Sequence, residues 1–423
     1  MEFVATSWNG TSSQKRLRGI SRSPRDSQGE ILAVKIVRQV KSIALLGAPT
    51  SAAGLASGQE GAPAALRSAG LLDRLTSAGF QVTDYGDCAP RVYKADDEHP
   101  RARNVNEVLA ILEELRPKVE IAVKSGALPV ILAGDDSVVL AAIAGARRYY
   151  RHVSLISVDR DAGLNVPATT PSGCVDGMVI SHVTGRGAPE LVRFWGEPPL
   201  VREPDVAVFG IDRVDEPEQR WLVRSPLHRY LAVDLKKRGP AVAAQEALET
   251  MHGSRHEFVL LLDLDVVASE DFAATNYPGS GGLSLDEVRQ ALAVFARQPN
   301  LAALVLAGYN PTRDADGSGA KILVDLLVDV LAPRLQAPPA EGTESATATA
   351  GAATIEETPV NVSENTEPAA GSISVPANAS SEPPDIAAPA SESVAPEKTA
   401  VPSSDGTPDK HSDVVSEGEP PAE

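Results

Sequence analysis

Four short segments concentrate carboxylates in a pattern that suits a divalent cation. They are Ala133-Gly134-Asp135-Asp136-Ser137, Asp159-Arg160-Asp161-Ala162-Gly163, Ser172-Gly173-Cys174-Val175-Asp176-Gly177-Met178 and Asp263-Leu264-Asp265. Asp159/Asp161 and Asp263/Asp265 share an i, i+2 spacing, which puts both side chains on one side wherever strand geometry persists. Together with Asp136, these carboxylates would face one small volume. They could not all stay ionised there, because like charges within a few ångströms raise one another's pKa. Either hard divalent ions neutralise them, or several are protonated or accept backbone hydrogen bonds. Ligation by oxygen alone favours Mg²⁺, Mn²⁺ or Ca²⁺ over zinc. The plainer reading makes each aspartate a cap or turn residue, the usual role of a lone Asp after a strand.

The elements that must position these residues are legible as short apolar runs. Ser42 to Gly47, Phe80 to Tyr85, Pro129 to Ala133, Val153 to Val158, Asp205 to Gly210, Phe258 to Leu264 and Leu301 to Ala307 are expected as buried strands. Amphipathic stretches lie between them, such as Val105 to Lys124, Ser284 to Arg297 and Lys321 to Leu331. Strands alternating with helices predict an α/β fold, a mainly parallel sheet with helices on both faces. Ligands of such sheets bind at the carboxyl ends of strands. Three of the acidic clusters fall there in order, which is a stronger pattern than any isolated Asp-x-Asp.

Composition divides the 423-residue chain into three parts. From Gln336 to Glu423 there is no Phe, Trp or Tyr, and 16 acids face only Lys398 and Lys410, so this stretch carries −14 of the −18 net charge. Such a segment buries too little apolar surface to offset its ordering entropy, and a disordered acidic tail is expected over 336–423. A flexible arm is expected over 1–37, where Lys15, Arg16, Arg18, Arg22 and Arg25 sit among Ser and Gly and form a solvated leader. Residues 38–335 are long enough for one large α/β domain. No basic stripe with interleaved aromatics favours nucleic acid. Nor does any run approach the ~18 apolar residues that span a bilayer. Two cysteines, Cys88 and Cys174, do not suggest a disulfide scaffold, and with no apolar leader segment a cytoplasmic location is expected.

The body resembles the arginases and related ureohydrolases. The resemblance runs from Leu45-Leu46-Gly47-Ala48-Pro49 through Gly61-Ala62-Pro63-Ala64-Ala65-Leu66-Arg67 to Asn310-Pro311, and includes Gly281-Gly282-Leu283-Ser284. It implies a three-layer α/β/α sandwich and a binuclear manganese centre. The segment from Asn165 to Gly173 is similar to the family loop that holds a substrate α-carboxylate, which implies roles for Asn165, Thr170 and Ser172. Gly210 to Glu218 is similar to the loop that holds the α-amino group, which implies roles for Asp215 and Glu218.

Carried over position by position, the resemblance makes Asp159 and Asp263 the bridging carboxylates, Asp136 a ligand of the first metal, and Asp161 and Asp265 ligands of the second. The family has histidine where this chain has Asp136 and Asp161, and a proton-shuttling histidine where it has Asp176. It has an aspartate ligand at Gly163 and a guanidinium-binding glutamate at Gly308. The expectation is a degenerate binuclear site that holds one divalent cation, Mn²⁺ or Mg²⁺, or none; a single ion is expected at the second position, which keeps Asp159, Asp161, Asp263 and Asp265, whereas the first loses a ligand at Gly163. Asp176 is the candidate proton carrier, provided its surroundings bring its pKa near working pH.

Two functions are compatible with these residues. One is a catalytically impaired relative, a binding or regulatory subunit that takes a small amino-acid-like ligand. The family's habit of forming trimers or hexamers implies assembly with itself or with an arginase-like subunit. The other is a divergent metal-dependent hydrolase of C–N bonds in a linear amidine or guanidino compound.

Overall fold

The computed structural model describes residues 36–251 and 256–336. The expected arm lies outside the described residues but for its last two positions, and the expected tail lies outside them beyond Gln336. The centre is one eight-stranded sheet with strand order β2-β1-β3-β8-β7-β4-β5-β6. The strands are β1 (Ser42–Ala48), β2 (Gln81–Asp87), β3 (Leu128–Ala133), β4 (Val153–Val158), β5 (Val206–Ile211), β6 (His228–Leu231), β7 (Glu257–Asp263) and β8 (Leu301–Ala307). Every neighbouring pair in it is parallel.

Central strands carry continuous apolar runs because both faces of the sheet are covered. In β7, Leu260 and Leu262 pack into one core with the helices at 285–296 and 318–331. Val259 and Leu261 pack into a second core with the helices at 105–124 and 139–146. The result is the expected three layers, helices on either side of a parallel sheet. The helix over Val105–Lys124 has the expected bounds. The one over Leu285–Ala296 starts at a reciprocal cap, with Glu287 N donating to Ser284 Oγ and Ser284 N donating to the Glu287 carboxylate.

One strand was not legible from the sequence. β6 has only four residues, His228-Arg229-Tyr230-Leu231, at the sheet edge with alternate side chains open to solvent. Its polar character hides it from a search for buried runs, and pairing to β5 defines it. Cys88 and Cys174 are both free and buried. Among the described residues no helix is long and apolar enough to cross a membrane.

Candidate functional site

At the carboxyl edge of the sheet a cavity of about 280 Å³ opens over the ends of β3, β4, β5 and β7. Asp136, Asp159, Asp161, Asp263 and Asp265 all line it, and so does Asp176 from the loop after β4. Asn165, Thr170, Ser172, Asp215 and Glu218 lie on the same wall system. The sheet therefore gathers into one volume residues that are more than a hundred positions apart in the chain.

Local turn chemistry accounts for much of the acidic pattern. Asp159 Oδ1 accepts a bond from Asp161 N at 2.9 Å, and Asp263 Oδ1 accepts one from Asp265 N at 2.8 Å. Each Asp-x-Asp is thus a turn in which the first carboxylate caps the second residue's amide. Asp135 is wholly committed in the same way: it accepts from Thr50 Oγ1 at 2.8 Å, from Ala53 N at 3.1 Å and from the Ser137 amide and hydroxyl. Asp136 and Asp265 differ, because the Oδ1 of each is buried without a hydrogen-bond partner.

The electrostatics follow from burial and crowding. Desolvation, then the charges of Asp263 and Asp159, push the Asp136 pKa well above the usual carboxylate range. Asp159 and Asp263 are pushed up for the same reasons, burial first and the neighbouring aspartates after it. Burial also lifts Asp265, to about 6. Asp176 is raised to about 7 by burial, partly countered by the Tyr277 hydroxyl, which donates to its Oδ2 at 2.8 Å, and by the Gly177 amide. Tyr277 also accepts from Leu55 N at 3.0 Å and so ties the loop after β1 to the cavity wall.

The loops expected to grip an amino-acid head group are bonded among themselves. Asp215 Oδ1 accepts from Glu218 N at 3.0 Å while Glu218 Oε2 accepts from Asp215 N at 3.2 Å, the reciprocal cap of the helix at Glu216–Arg224. Asn165 Nδ2 donates to Asp215 Oδ2 at 2.8 Å, and Leu164 N donates to Glu218 Oε1 at 2.9 Å. Thr170 Oγ1 accepts from Gly173 N at 3.0 Å, and Ser172 Oγ accepts from Cys174 N at 3.1 Å. Each of these residues thus serves a turn or a cap as well as lining the cavity. Cys174 offers no nucleophile, since burial pushes its thiol up to about 12.

Two glycines in the cavity wall have left-handed backbones. Gly163 has φ +60°, and a Cβ there would approach Ile180 Cγ1 at 3.2 Å. Gly308 has φ +90°, and a Cβ would lie 2.7 Å from Asp263 Oδ1 and 2.9 Å from Leu264 N. A side chain at 308 therefore requires the end of β7 to move.

A basic side chain reaches the acidic cluster from β5. Beyond the strand ends the chain continues as a parallel bridge between Asp161 and Arg213, supported by Asp212 N and Arg213 N donating to Arg160 O. Arg213 Nε donates to Asp161 Oδ1 at 2.5 Å and Nη2 to Asp161 Oδ2, while Nη2 stands 4.0 Å from Asp265 Oδ2. The bond to Asp161 holds the Arg213 pKa above its ordinary value despite partial burial. Asp161 is thereby engaged on both oxygens. Among the described residues no group of three His, Cys, Asp or Glu side chains is arranged to hold a metal ion. Two buried carboxylate oxygens of the cluster lack a hydrogen-bond partner, Asp136 Oδ1 and Asp265 Oδ1; with Asp161 engaged on both oxygens by Arg213, the set suits one cation better than two.

The profile of the Arginase family matches residues 41–332. The chain belongs to the arginase family. The arginase of Brevibacillus brevis is 28% identical over 295 residues, covering 70% of this chain and 99% of that one. The mitochondrial arginase-2 of Oryctolagus cuniculus is 30% identical over 300 residues, covering 70% and 85%. Among solved structures, the arginase of Bacillus subtilis superposes with a TM-score of 0.63 at 27% identity, covering 69% of this chain and 98% of that chain.

Arginase-family membership explains the sheet and the loop order, but the residues that most alter this cavity were not singled out from the sequence. Arg213 lies inside the segment 210–218 that carried the resemblance, yet only the adjacency of β4 and β5 brings it to Asp161. Tyr277 stands in an irregular segment with no periodicity to mark it. Gln59, from the loop after β1, lines the cavity and accepts from Asn276 Nδ2 at 2.8 Å. No spacing rule connects these three to the aspartates; the sheet order does.

Proposed function

We propose that this chain is a catalytically impaired arginase-family protein that serves as a binding or regulatory subunit, assembled with itself or with an arginase-like partner. The observation that carries the reading is the backbone at Gly163 and Gly308. At these two positions the family resemblance calls for carboxylates, one on a metal and one on the substrate guanidinium. Here both are glycines with positive φ; a Cβ at 308 would lie 2.7 Å from Asp263 Oδ1 and 2.9 Å from Leu264 N, and one at 163 would meet Ile180 Cγ1 tightly at 3.2 Å. Planar pairing of a carboxylate with a guanidinium substrate has no donor–acceptor partner at 308. A resident manganese pair would supply an activated water, but with Asp161 engaged by Arg213 the residues present do not fit that pair. At most one Mn²⁺ or Mg²⁺ belongs to this reading. The chain's own contribution is a carboxylate-rich pocket for a small cationic, amino-acid-like ligand.

The test is release of urea and ammonia by the purified full chain after incubation with Mn²⁺, across arginine, agmatine and guanidino acids. No product above the blank is expected, and turnover at ordinary enzyme rates refutes the reading. Calorimetry with arginine, ornithine and lysine checks the binding role; absence of heat with all three counts against it.

A second reading, a divergent hydrolase of C–N bonds, is favoured by one specific observation. Asp176 sits on the cavity wall with its pKa raised to about 7, where a carboxylate can both take and give a proton at neutral pH. That reading requires a slow activity that D176N abolishes while the fold is retained.

A further inference from the structure

Among the described residues, Arg213 is the one basic side chain that lines the cavity. Its guanidinium meets Asp161 through Nε and Nη2, lies 4.0 Å from Asp265 through Nη2, and stands 5.7 Å from the centre of the Tyr277 ring. Asp161 and Asp265 are the two carboxylates that the family resemblance assigns to the second metal alone. Both therefore face a positive charge that the chain itself provides. The fork of a guanidinium matches the two oxygens of a carboxylate and binds them side by side. Unlike a metal ion, it stays in place at any chelator concentration.

We propose that Arg213 is a tethered cation standing in the second metal position, so that the cavity accepts no more than one divalent ion, on the side of Asp136. The proposal deepens the reading above and rests on the same carry-over of metal positions onto this chain. It gives the altered aspartates a common logic. Asp161 has a partner of the right shape, and the bridge between the extensions of β4 and β5 holds that partner in register. Asp136, on β3's side of the cavity, keeps a buried oxygen with no partner and no cation beside it, whereas Asp265, whose Oδ1 is likewise without a hydrogen-bond partner, has Arg213 Nη2 4.0 Å from its Oδ2. The guanidinium also repels any dication placed beside it. At about 4 Å, even with the full screening of water, that repulsion amounts to about a thirtyfold loss of affinity for the second ion.

Manganese stoichiometry of the full chain tests this, read by elemental analysis after dialysis against Mn²⁺ and by the magnetic-coupling signature of a manganese pair. Wild type is expected to hold at most one ion without a coupled signal. R213Q, which removes the charge and keeps most of the length, is expected to gain a second ion or to bind it at least about thirtyfold tighter than wild type. R213K keeps the charge without the fork and is expected to hold at most one tightly bound ion, like wild type, with a weaker grip on Asp161. Two tightly bound ions in wild type overturn the proposal without reference to any variant, and so does an R213Q protein that folds but gains nothing. Should R213Q fail to fold, the wild-type count and R213K still decide, because two ions in either of them refute a tethered cation. Turnover by wild type carrying a single ion would defeat the non-catalytic reading and leave the tethered cation standing, so the two failures are separable.

Discussion

Replacing Gly308 by alanine asks whether the wall of the cavity has closed around a missing side chain. Gly70 provides the control. The two have nearly the same φ, +90° at Gly308 and +87° at Gly70, but a Cβ at Gly70 meets nothing within 4 Å. Left-handed geometry costs a residue with a Cβ about 1–2 kcal/mol. The reduced freedom of the unfolded chain returns about 0.4–1 kcal/mol of that. G70A should therefore lose about 1 kcal/mol. G308A carries the same backbone cost plus a collision with Asp263 Oδ1 at 2.7 Å and Leu264 N at 2.9 Å. The carboxylate can turn, but the amide belongs to the backbone just past β7, and overpacking of this kind costs about 1–3 kcal/mol. The total for G308A is about 2–4 kcal/mol, or on the order of 5–10 °C in melting temperature for a domain of this size. Thermal melts and urea titrations of both variants, in protein stripped of metal by EDTA, measure the difference. Equal losses for G308A and G70A would refute the closed wall, and with it the claim that a glutamate at 308 cannot simply be restored.

Four further outcomes follow from the same geometry. In metal-stripped protein the carboxylates of Asp136, Asp159, Asp263, Asp265 and Asp176 all titrate above their unfolded values. The folded state then binds more protons than the unfolded one, so the stability these carboxylates contribute is full below about pH 4 and is lost as pH rises through the folded values, about 6 for Asp265 and about 7 for Asp176; buried His182, lowered from 6.5 to about 4, works in the opposite sense below pH 6.5, so a melting temperature that rises above pH 6.5 contradicts the cluster. D176N removes one of these charges and should raise the melting temperature by a few degrees at pH 8, by less at pH 5, and not at all below about pH 4, where Asp176 is protonated in both states. D215A loses a helix cap and the bond from Asn165, and should cost about 1–2 kcal/mol; D215N, which keeps one acceptor, should cost less, and equal losses would deny the capping role. Y277F removes the hydroxyl bonded to Asp176 and should raise the Asp176 pKa further above about 7, as followed by carboxyl chemical shifts during a pH titration.

Strands such as β7 and β8 announce themselves because a parallel strand covered on both faces must be apolar at every position. β6 does not, because an edge strand of four residues is free to be polar. The aspartates were identifiable by type and by their place after apolar runs, and all of them line one cavity. Their hydrogen bonds were not. At Asp159 and Asp161 the strand pairing persists through the parallel bridge to Arg213, and the first carboxylate in addition accepts from the second residue's amide.

What the sequence determined by itself is the family-scale architecture and the roster of chemical groups: a parallel α/β body, carboxylates where the family resemblance calls for imidazoles, and glycines where it calls for acids. Periodicity and residue type carry that information because it depends on neighbours along the chain. Only the tertiary structure decided what those groups are engaged in. Arg213 and Asp161 are 52 residues apart and meet because β4 and β5 lie side by side. Gly308 excludes a side chain because β8 ends against the turn after β7. Charge balance and space inside a cavity are set by which strands are neighbours, a relation in three dimensions that no spacing along the chain encodes.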